Sequence, residues 1–292
     1  MKQRLMGTLL LGALAQSPAL AAPPLPIGTP SPWSGFYAGL SLGGVTATAT
    51  TVPTNGFSVY DWAAGALSMP YGFTAPYRAG NAGGGQAGVI GGLQFGYAFA
   101  VTPSVLIGVE TDFQGTSLQG SGSSYSLAGA VDKEKITHLQ NGLVNASSGI
   151  GWIGTARGRI GYLIQPSLLV FATGGFAYGD TWAAVNSYGY HWHPAHEAGH
   201  PENPVTPTSD RISRIGVGWT AGGGAEWMFI QNWSAKAEAL YYDLGSQTVS
   251  GQYSPLINPA APGSVAIINA ASTRFDYQGV IARLGVNYHF AW

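Results

Sequence analysis

Eight acidic and basic side chains interrupt the apolar segments of this sequence, and they are the first candidates for chemistry. They are four acids and four bases with a formal sum of zero: Glu110, Asp112, Arg157, Arg159, Glu226, Lys236, Glu238 and Arg283. Paired carboxylates can act as general acid and base, charges that line a pore can select ions, and balanced charges can pair when they are buried. No nucleophile constellation accompanies the carboxylates in the pattern, so we expect no enzyme activity.

A second group of reactive side chains lies in the segment HWHPAHEAGH, residues 191–200. It holds four histidines: His191, His193, His196 and His200. Imidazoles bind Zn, Cu or Ni when two or three of them converge, but Pro194 and Gly199 bend the segment, so the spacing does not decide whether they do. Three interpretations stay open: metal or haem contact, a pH-sensitive loop, and a polar loop in which histidine has no ligand. We expect no resident cofactor.

The composition limits the class of protein. Charged residues are 9% of the 292 residues, against about 25% in an ordinary globular protein, while the chain has 44 glycines and 12% aromatic residues. This suits a chain rich in β-structure or one that has lipid as part of its solvent. The net charge of −1 gives no electrostatic footprint for nucleic acid. Because cysteine is absent, disulfides and cysteine-based metal or redox sites are excluded.

The first residues predict export from the cytoplasm. Lys2 and Arg4 precede an apolar run, and an A-x-A site ends at Ala21, so residues 1–21 have the three-part layout of a cleaved signal peptide. The alternative, a membrane anchor, is disfavoured because the run is too short to span a bilayer. Residues 22–33 are rich in proline and predict an extended periplasmic linker.

Eight later segments alternate large apolar residues with small or polar ones, which is the period of a β-strand. Each is about 9 to 16 residues long, as a tilted strand that crosses a bilayer would be. The segments start near the following residues: Phe36, Val89, Val105, Trp152, Leu168, Ile215, Trp233 and Ala282. The eight charges all have the opposite parity to the apolar face. Parity alone does not say which face is inside, because a soluble β-barrel binder would turn its charges outward.

The connections between these segments favour a membrane barrel. Short connections such as AVTP, IQP and IQN alternate with long ones at roughly 45–87, 117–149, 183–213 and 245–273. Outer-membrane barrels with an even number of strands alternate short periplasmic turns and long outer loops in this way. The fold predicted for residues 34–292 is therefore all-β: an eight-stranded antiparallel transmembrane β-barrel with short periplasmic turns and four long outer loops.

Aromatic residues are predicted to form a belt at each rim of this barrel, where amphipathic rings favour the headgroup level. The periplasmic belt has eight members: Phe36, Phe99, Tyr162, Trp227, Phe229, Trp233, Phe290 and Trp292. The outer belt has five: Trp152, Tyr178, Trp182, Trp219 and Tyr241. The final segment, ARLGVNYHFAW, would close against the first strand and so remove both sheet edges, as hydrocarbon requires.

Several blocks of the sequence resemble a known family. They are WSGFYAGLSLGG, GTARGRIGYLIQPSLLVFATGGFAYGD, GWTAGGGAEWMFIQNWSAKAEALYYDLGS and VIARLGVNYHF. They are similar to the alphaproteobacterial outer membrane immunogenic protein (porin family) group, which is related to the opacity proteins and to the outer membrane protein A barrel. The resemblance implies an abundant surface protein of the outer membrane, with links in some members to envelope integrity, host contact or haem binding. Tyr288, Phe290 and Trp292 resemble the signal that the barrel assembly machinery reads.

These observations predict a protein of the Gram-negative outer membrane with a structural and surface-contact role. Eight strands leave an interior just wide enough for side chains, so we expect the eight charges to pair and to plug the lumen. Lipid, lipopolysaccharide, the barrel assembly machinery and a host or envelope ligand are the expected partners, and nucleic acid is not. The alternatives are a narrow porin for small solutes and a surface protein that contacts metal or haem through the histidine-rich loop.

Overall fold

The described part of the chain consists of β-strands joined by turns. The computed structural model describes residues 31–48, 52–60, 73–79, 86–131, 137–192, 206–250, 254–257 and 265–290. Its strands are β1 (Gly35–Ala47), β2 (Val52–Tyr60), β3 (Phe73–Ala79), β4 (Ala87–Ala100), β5 (Val105–Val131), β6 (Thr137–Gln165), β7 (Leu168–Trp192), β8 (Thr206–Ile230), β9 (Trp233–Ser250), β10 (Ser254–Ile257) and β11 (Val265–His289). Within these ranges, no helix has the length and apolar character needed to cross a membrane.

Eight of the strands close into one antiparallel ring. Their order around the ring is β1-β4-β5-β6-β7-β8-β9-β11, and β11 pairs with β1. Tyr37 lies opposite His289 and Ala47 opposite Gly279 in this closing pair. Because β1 has β4 on its other side, no edge of the ring is left open at this level, as a wall in hydrocarbon requires. The predicted eight-stranded barrel is confirmed.

The two faces of the wall differ as predicted for a barrel that is apolar outside. Leu42 and Leu284 are register partners on β1 and β11, and they point outward with 65% and 69% of their surface exposed. Arg283, the next residue along β11, points into the lumen and is 4% exposed. A continuous apolar exterior of this extent is unstable in water but is the normal surface of a barrel that faces acyl chains.

Aromatic side chains gather at both ends of this apolar band. At the end where the short turns lie, the ring of Tyr288 packs against the rings of Trp233 and Phe290, with both centroid distances 5.1 Å. At the other end, Trp219 and Tyr241 are 5.3 Å apart. Trp292, which was predicted to share the first belt, lies outside the described residues.

The four long connections contain more strand than the sequence suggested. β5 continues to Val131 and pairs with β6 from Thr137 onward, although 117–149 was predicted as a loop. β7 and β8 likewise stay paired up to Gly189 and Thr206. These stretches are rich in Ser, Gly, Ala and Asn, which have low strand propensity on their own. Strand propensity depends strongly on context, and an adjacent strand that supplies backbone partners is enough to extend the ladder.

The first long connection also adds to the wall. The strand β2 pairs with β11 at Ile267–Thr273. This lies beyond Gly279–His289, the part of β11 that pairs with β1 along the same edge. β3 pairs with β2, and β10 pairs with the start of β11. The sheet therefore continues beyond the eight-stranded ring at the end where the long connections lie. We name this part the outer extension; it consists of β2, β3, β10 and the ends of the ring strands that pair beyond the ring.

Register shifts mark the level where the ring passes into this extension. They occur between Gly115 and Leu118 on β5, and between Ile150 and Ile153 on β6. A bulge increases local twist and re-aims the side chains that follow. Around and above this level the lumen holds an apolar layer, in which these side chains are buried: Val45, Ile90, Leu118, Val144, Ile150, Ile153, Leu240, Tyr242, Leu244, Val249, Phe275, Tyr277 and Ile281.

Candidate functional site

All eight predicted charges project into the lumen below the apolar layer. Strand alternation places them there, because each has the parity opposite to the exposed apolar residues. Each is at least nine-tenths buried, and the set is Glu110, Asp112, Arg157, Arg159, Glu226, Lys236, Glu238 and Arg283. Charged groups at such depth are stable only when they are paired and hydrogen-bonded. We name this set the charge network.

Arg157 on β6 is the centre of the charge network. Its Nη1 donates to Glu238 Oε1 at 2.8 Å, and its Nη2 donates to Asp112 Oδ2 at 2.9 Å and also to Glu110 Oε1. Its Nε donates to the hydroxyl of Thr155 at 3.0 Å. All three guanidinium nitrogens therefore have acceptors, and three acids from β5 and β9 share one cation. Arginine suits this position because its planar fork serves several carboxylates at once.

Arg283 on β11 closes the upper side of the same cluster. Its Nε donates to Glu238 Oε2 at 2.8 Å, and its Nη2 donates to Asp112 Oδ2 at 2.9 Å. Lys236 lies on the other side, where its Nζ donates to Glu110 Oε1 at 2.9 Å and lies 3.7 Å from Glu238 Oε2. Three cations and three acids thus alternate in space, so each like-charged pair has an opposite charge between its members.

Arg159 and Glu226 form the lower part of the charge network. Arg159 Nη2 donates to Glu226 Oε2, and the guanidinium also stacks on Phe171, 3.8 Å from the ring centroid. The hydroxyl of Tyr37 joins this part to the rest, because it accepts from Arg159 Nη1 at 3.2 Å and donates to Glu110 Oε2 at 2.7 Å. The other oxygen of Glu226 accepts from Asn287 Nδ2 at 2.6 Å. The network is continuous across the lumen.

Glycines on the inner wall provide the space that these long side chains need. A Cβ on Gly96 would lie 2.2 Å from Cζ of Tyr37, and one on Gly43 would lie 2.7 Å from Cβ of Arg283. Both are closer than real Cβ contacts allow. β1 and β4 therefore carry small residues on their inner face at the points where the long side chains of Tyr37 and Arg283 need the space.

A serine, a histidine and a carboxylate meet at the bottom of the lumen. Ser234 Oγ donates to Glu226 Oε1 at 2.5 Å, and His289 Nε2 lies 3.0 Å from that Oγ and 3.4 Å from Glu226 Oε1. In a catalytic triad the two ring nitrogens have different partners, one the nucleophile and the other the acid. Here a single ring nitrogen lies near both the serine and the carboxylate, and the serine hydroxyl donates its hydrogen bond to the carboxylate. This geometry orients the side chains of the network and does not activate the serine.

Buried apolar side chains lie on both sides of the charge network along the lumen. Below it, Trp33 is 1% exposed, donates from Nε1 to the carbonyl of Pro166 at 2.9 Å, and packs edge-on against His289 with centroids 5.4 Å apart. Above it lies the apolar layer. A cavity of about 10 Å³ adjoins Trp33 and Arg159, and another of about 10 Å³ adjoins Tyr242. Each has room for about one water molecule.

Sequence reasoning found the charges but missed their neutral partners. Tyr37, Thr155, Ser234, Asn287 and His289 all belong to the network or border it. The last four have the same parity as the charges on their own strands, so parity could have found them, whereas β1 carries no charge that would have marked Tyr37. Trp33 carried no such signal, because it lies in the segment 22–33 that was predicted to be an extended linker; the rest of that segment, up to residue 30, lies outside the described residues, as does the predicted signal peptide at 1–21.

The histidine-rich segment falls largely outside the described residues. His191 belongs to β7, whereas His193, His196 and His200 are not described. In the ranges that are described, no three His, Cys, Asp or Glu side chains are grouped so that they could hold a metal ion. Of the three residues that resemble an assembly signal, Tyr288 and Phe290 lie at the end of β11, where Phe290 donates its backbone N–H to Phe36 O at 2.9 Å.

Comparison with known proteins adds a relative of similar sequence. Over 162 residues, the chain is 36% identical to the 31 kDa outer-membrane immunogenic protein of Brucella melitensis biotype 1 and to that of Brucella suis biovar 1. The matched part is 56% of this chain and 56% of each relative, so the match spans little more than half the length of these relatives.

Among solved structures, the outer membrane protein OprG from Pseudomonas aeruginosa is 13% identical with a TM-score of 0.38, covering 88% of this chain and 97% of that chain. The attachment invasion locus protein Ail of Yersinia pestis is 9% identical with a TM-score of 0.26, covering 86% and 99%.

A family model gives the widest match. The outer membrane protein beta-barrel domain matches residues 6–290, which include every strand of the ring and every member of the charge network. The closed antiparallel ring, its apolar exterior and the resemblance of the sequence blocks agree with this match. The chain therefore belongs to the family of outer membrane protein β-barrel domains, and its location is the outer membrane of a Gram-negative bacterium.

Proposed function

We propose that this protein is a structural and surface-contact component of the outer membrane, that its lumen is closed, and that it has no catalytic activity. The observation that carries this proposal is the continuous charge network between two apolar constrictions. A solute that crossed the lumen would have to pass the apolar layer, separate Arg157 from its three carboxylates, and displace Trp33. Each of these steps opposes flow.

The balance of charge supports closure over conduction. A conducting pore keeps its charged groups hydrated, and water then weakens the attraction between them. In this lumen the Arg157 and Glu238 side chains have no exposed surface, and the network contains as many bases as acids. Such a lattice ties β5, β6, β9 and β11 together through the interior. Its role is to hold the ring in shape.

The outer extension supports a role in contact at the cell surface. Tyr125 and Leu143 are register partners on β5 and β6, and they face outward with 65% and 38% of their surface exposed. Exposed aromatic residues are common anchors of protein and glycan contacts. The Brucella relatives carry the description immunogenic, which suits a protein that presents surface to the outside. A host or envelope ligand would bind here, while lipid and lipopolysaccharide surround the wall.

The absence of catalysis is proposed from the geometry at Ser234. A fluorophosphonate probe labels serines that a base activates, whereas Ser234 is fully buried and its hydroxyl donates to Glu226. Refolded protein should therefore resist labelling. Stoichiometric labelling of Ser234 would overturn this part of the proposal.

Conductance in planar bilayers tests the closed lumen. Protein refolded in detergent is first run on a gel with and without boiling, since a folded barrel and its unfolded chain migrate differently. The folded fraction is then added to the bilayer, with a general porin added afterwards as a control for the membrane. We expect no stable steps before the porin is added. Stable open steps from the folded protein alone would contradict closure and favour the narrow porin.

A further inference from the structure

A long groove runs along the membrane-facing wall of the barrel, on the side of β1, β4, β5 and β6. Its volume is about 720 Å³, within the range of about 300–1,000 Å³ that is typical of small-molecule sites. Large rings and small side chains line it together: Phe36, Ala38, Phe95, Tyr97, Val109, Thr111, Ala156, Gly158 and Phe290. The large rings stand out from the wall, and the small residues between them leave the space.

The groove does not lead into the lumen. The side chains of Glu110 and Arg157 lie behind it, with 1% and 0% of their surface exposed. The one hydroxyl of the small residues, Thr111 Oγ1, donates to the carbonyl of Thr155 at 2.9 Å. Apart from the hydroxyl of Tyr97, the lining that faces outward is therefore apolar. Any molecule that occupies the groove must present hydrocarbon to it.

The groove extends from the periplasmic rim towards the middle of the membrane. One row of register partners runs along it: Phe36, Tyr97, Val109 and Gly158. Phe36 is the second residue of β1, and Tyr97 is the fourth from the end of β4. Val109 is the fifth residue of β5, and Gly158 is the eighth from the end of β6. All four counts start from the periplasmic rim, so the lower end of the groove lies in the aromatic belt and its upper end lies deeper.

We propose that this groove holds one acyl chain of a phospholipid from the periplasmic leaflet. The aromatic belt marks the headgroup level, so a phospholipid whose headgroup lies beside Phe36 and Phe290 can place a chain directly into the lower end. The chain then passes the small lining residues Ala38, Thr111 and Gly158 and ends beside Ala156. A lipid of the outer leaflet would have its headgroup at the opposite rim, where the groove does not reach. The site is continuous with the lipid-facing wall but is deeper than the wall around it.

Native mass spectrometry of the refolded barrel tests this site. The protein is equilibrated in detergent with equal amounts of dipalmitoyl phosphatidylethanolamine and lipid A, and the lipids that stay bound after the detergent is removed are identified. Ala156→Phe fills the upper end of the groove, and Ala38→Phe fills the lower part. Ala237→Phe is the matched control. Ala237 is an outward-facing alanine on β9 that does not line the groove. It precedes Glu238 as Ala156 precedes Arg157, and these two charged residues pair across the lumen. Gel mobility checks that each variant is folded.

We expect the parent and Ala237→Phe to retain one phosphatidylethanolamine. At least one of the two groove variants should fold and retain about tenfold less, because the loss of burial for two methylene groups is enough for that change. The proposal is overturned if the parent retains no phospholipid or prefers lipid A, or if folded groove variants retain as much phospholipid as Ala237→Phe. These outcomes are independent of conductance, so the site can fail while the closed lumen stands.

Discussion

Arg157 and Glu238 meet across the lumen, 2.8 Å apart between Nη1 and Oε1, although their strands are not neighbours in the ring. The strands β7 and β8 separate β6 from β9 along the wall. The ion pair is therefore a link through the interior, and the ladder of backbone hydrogen bonds does not supply it. Because both side chains are fully buried, each depends on the other for its stability as a charge.

Replacing Arg157 with Met should destabilise the barrel by about 3–5 kcal/mol, the usual cost of leaving a buried charge without its partner. The double variant Arg157→Met/Glu238→Gln should lose less than the single variant, since it restores equal numbers of acids and bases. Unfolding in guanidinium chloride, followed by tryptophan fluorescence and gel mobility, measures both. If the single variant unfolds like the parent, the charge network does not hold the ring together.

The inner glycines should tolerate alanine far less well than the outer ones. In Gly96→Ala the new methyl group would lie 2.2 Å from the ring of Tyr37, so the ring must move and its bond to Glu110 is strained. Overpacking of this kind costs about 1–3 kcal/mol. Gly44→Ala is the matched control, because its nearest neighbour would be a carbonyl oxygen at 3.9 Å. Equal unfolding midpoints for the two variants would show that lumen space is not limiting.

The faces of the strands could be predicted from the sequence because alternation has a period of two and depends only on local order. This placed Glu110 and Arg283 in the lumen and Leu42 outside it. The pairing of the charges could not be predicted. Arg157 has three acids of suitable parity within reach, and the choice among them depends on strand shear and on which inner positions are glycine. Neither of these quantities is visible in a single strand.

The outer extension escaped prediction for a different reason. Val144 and Ile150 are inward-facing residues beyond the register shift on β6, where the inward parity changes from the odd numbers of Thr155, Arg157 and Arg159 to even numbers. A bulge adds one residue to one strand, and nothing in a run of Ser, Gly and Ala announces where it falls. Trp33 was missed because prolines before it predicted an extended segment, while its burial depends on a lumen built by distant strands.

An arginine on the outer face at mid-span should block insertion or destabilise the barrel. Ala156 faces outward on β6 beside Arg157, so Ala156→Arg places a charge in the acyl chains at a cost of about 2–4 kcal/mol. Gln119→Arg adds the same charge to an exposed position of the outer extension and should be nearly neutral. Folding yield into lipid vesicles, read from gel mobility, separates the two. A parent-like yield and stability for Ala156→Arg would mean that this face does not contact lipid.

Trp33 should stabilise the whole barrel although it precedes the first strand. Its indole is buried at the lower end of the lumen and packs against His289, so Trp33→Ala should cost about 3–5 kcal/mol, as for other buried tryptophans. Trp33→Phe keeps most of the packing and loses the hydrogen bond to Pro166, which is worth about 1 kcal/mol. Guanidinium chloride unfolding of both variants checks this order. If Trp33→Ala unfolds at the same midpoint as the parent, the segment is not part of the folded barrel.

The outer extension should unfold separately from the membrane-embedded ring when its apolar layer is disrupted. Leu118 is 2% exposed within that layer, and Leu118→Asp would bury a carboxylate among apolar side chains, which is costly without a partner. Gln119→Asp adds the same group at the next residue, which faces outward into water. In Leu118→Asp, limited proteolysis should cut the extension, while the ring should stay folded and still change its gel mobility on boiling, because the ring is held by its own charge network. Equal protection of the two variants would show that the layer at Leu118 is not a packed core, and loss of the ring together with the extension would show that the two parts unfold as one unit.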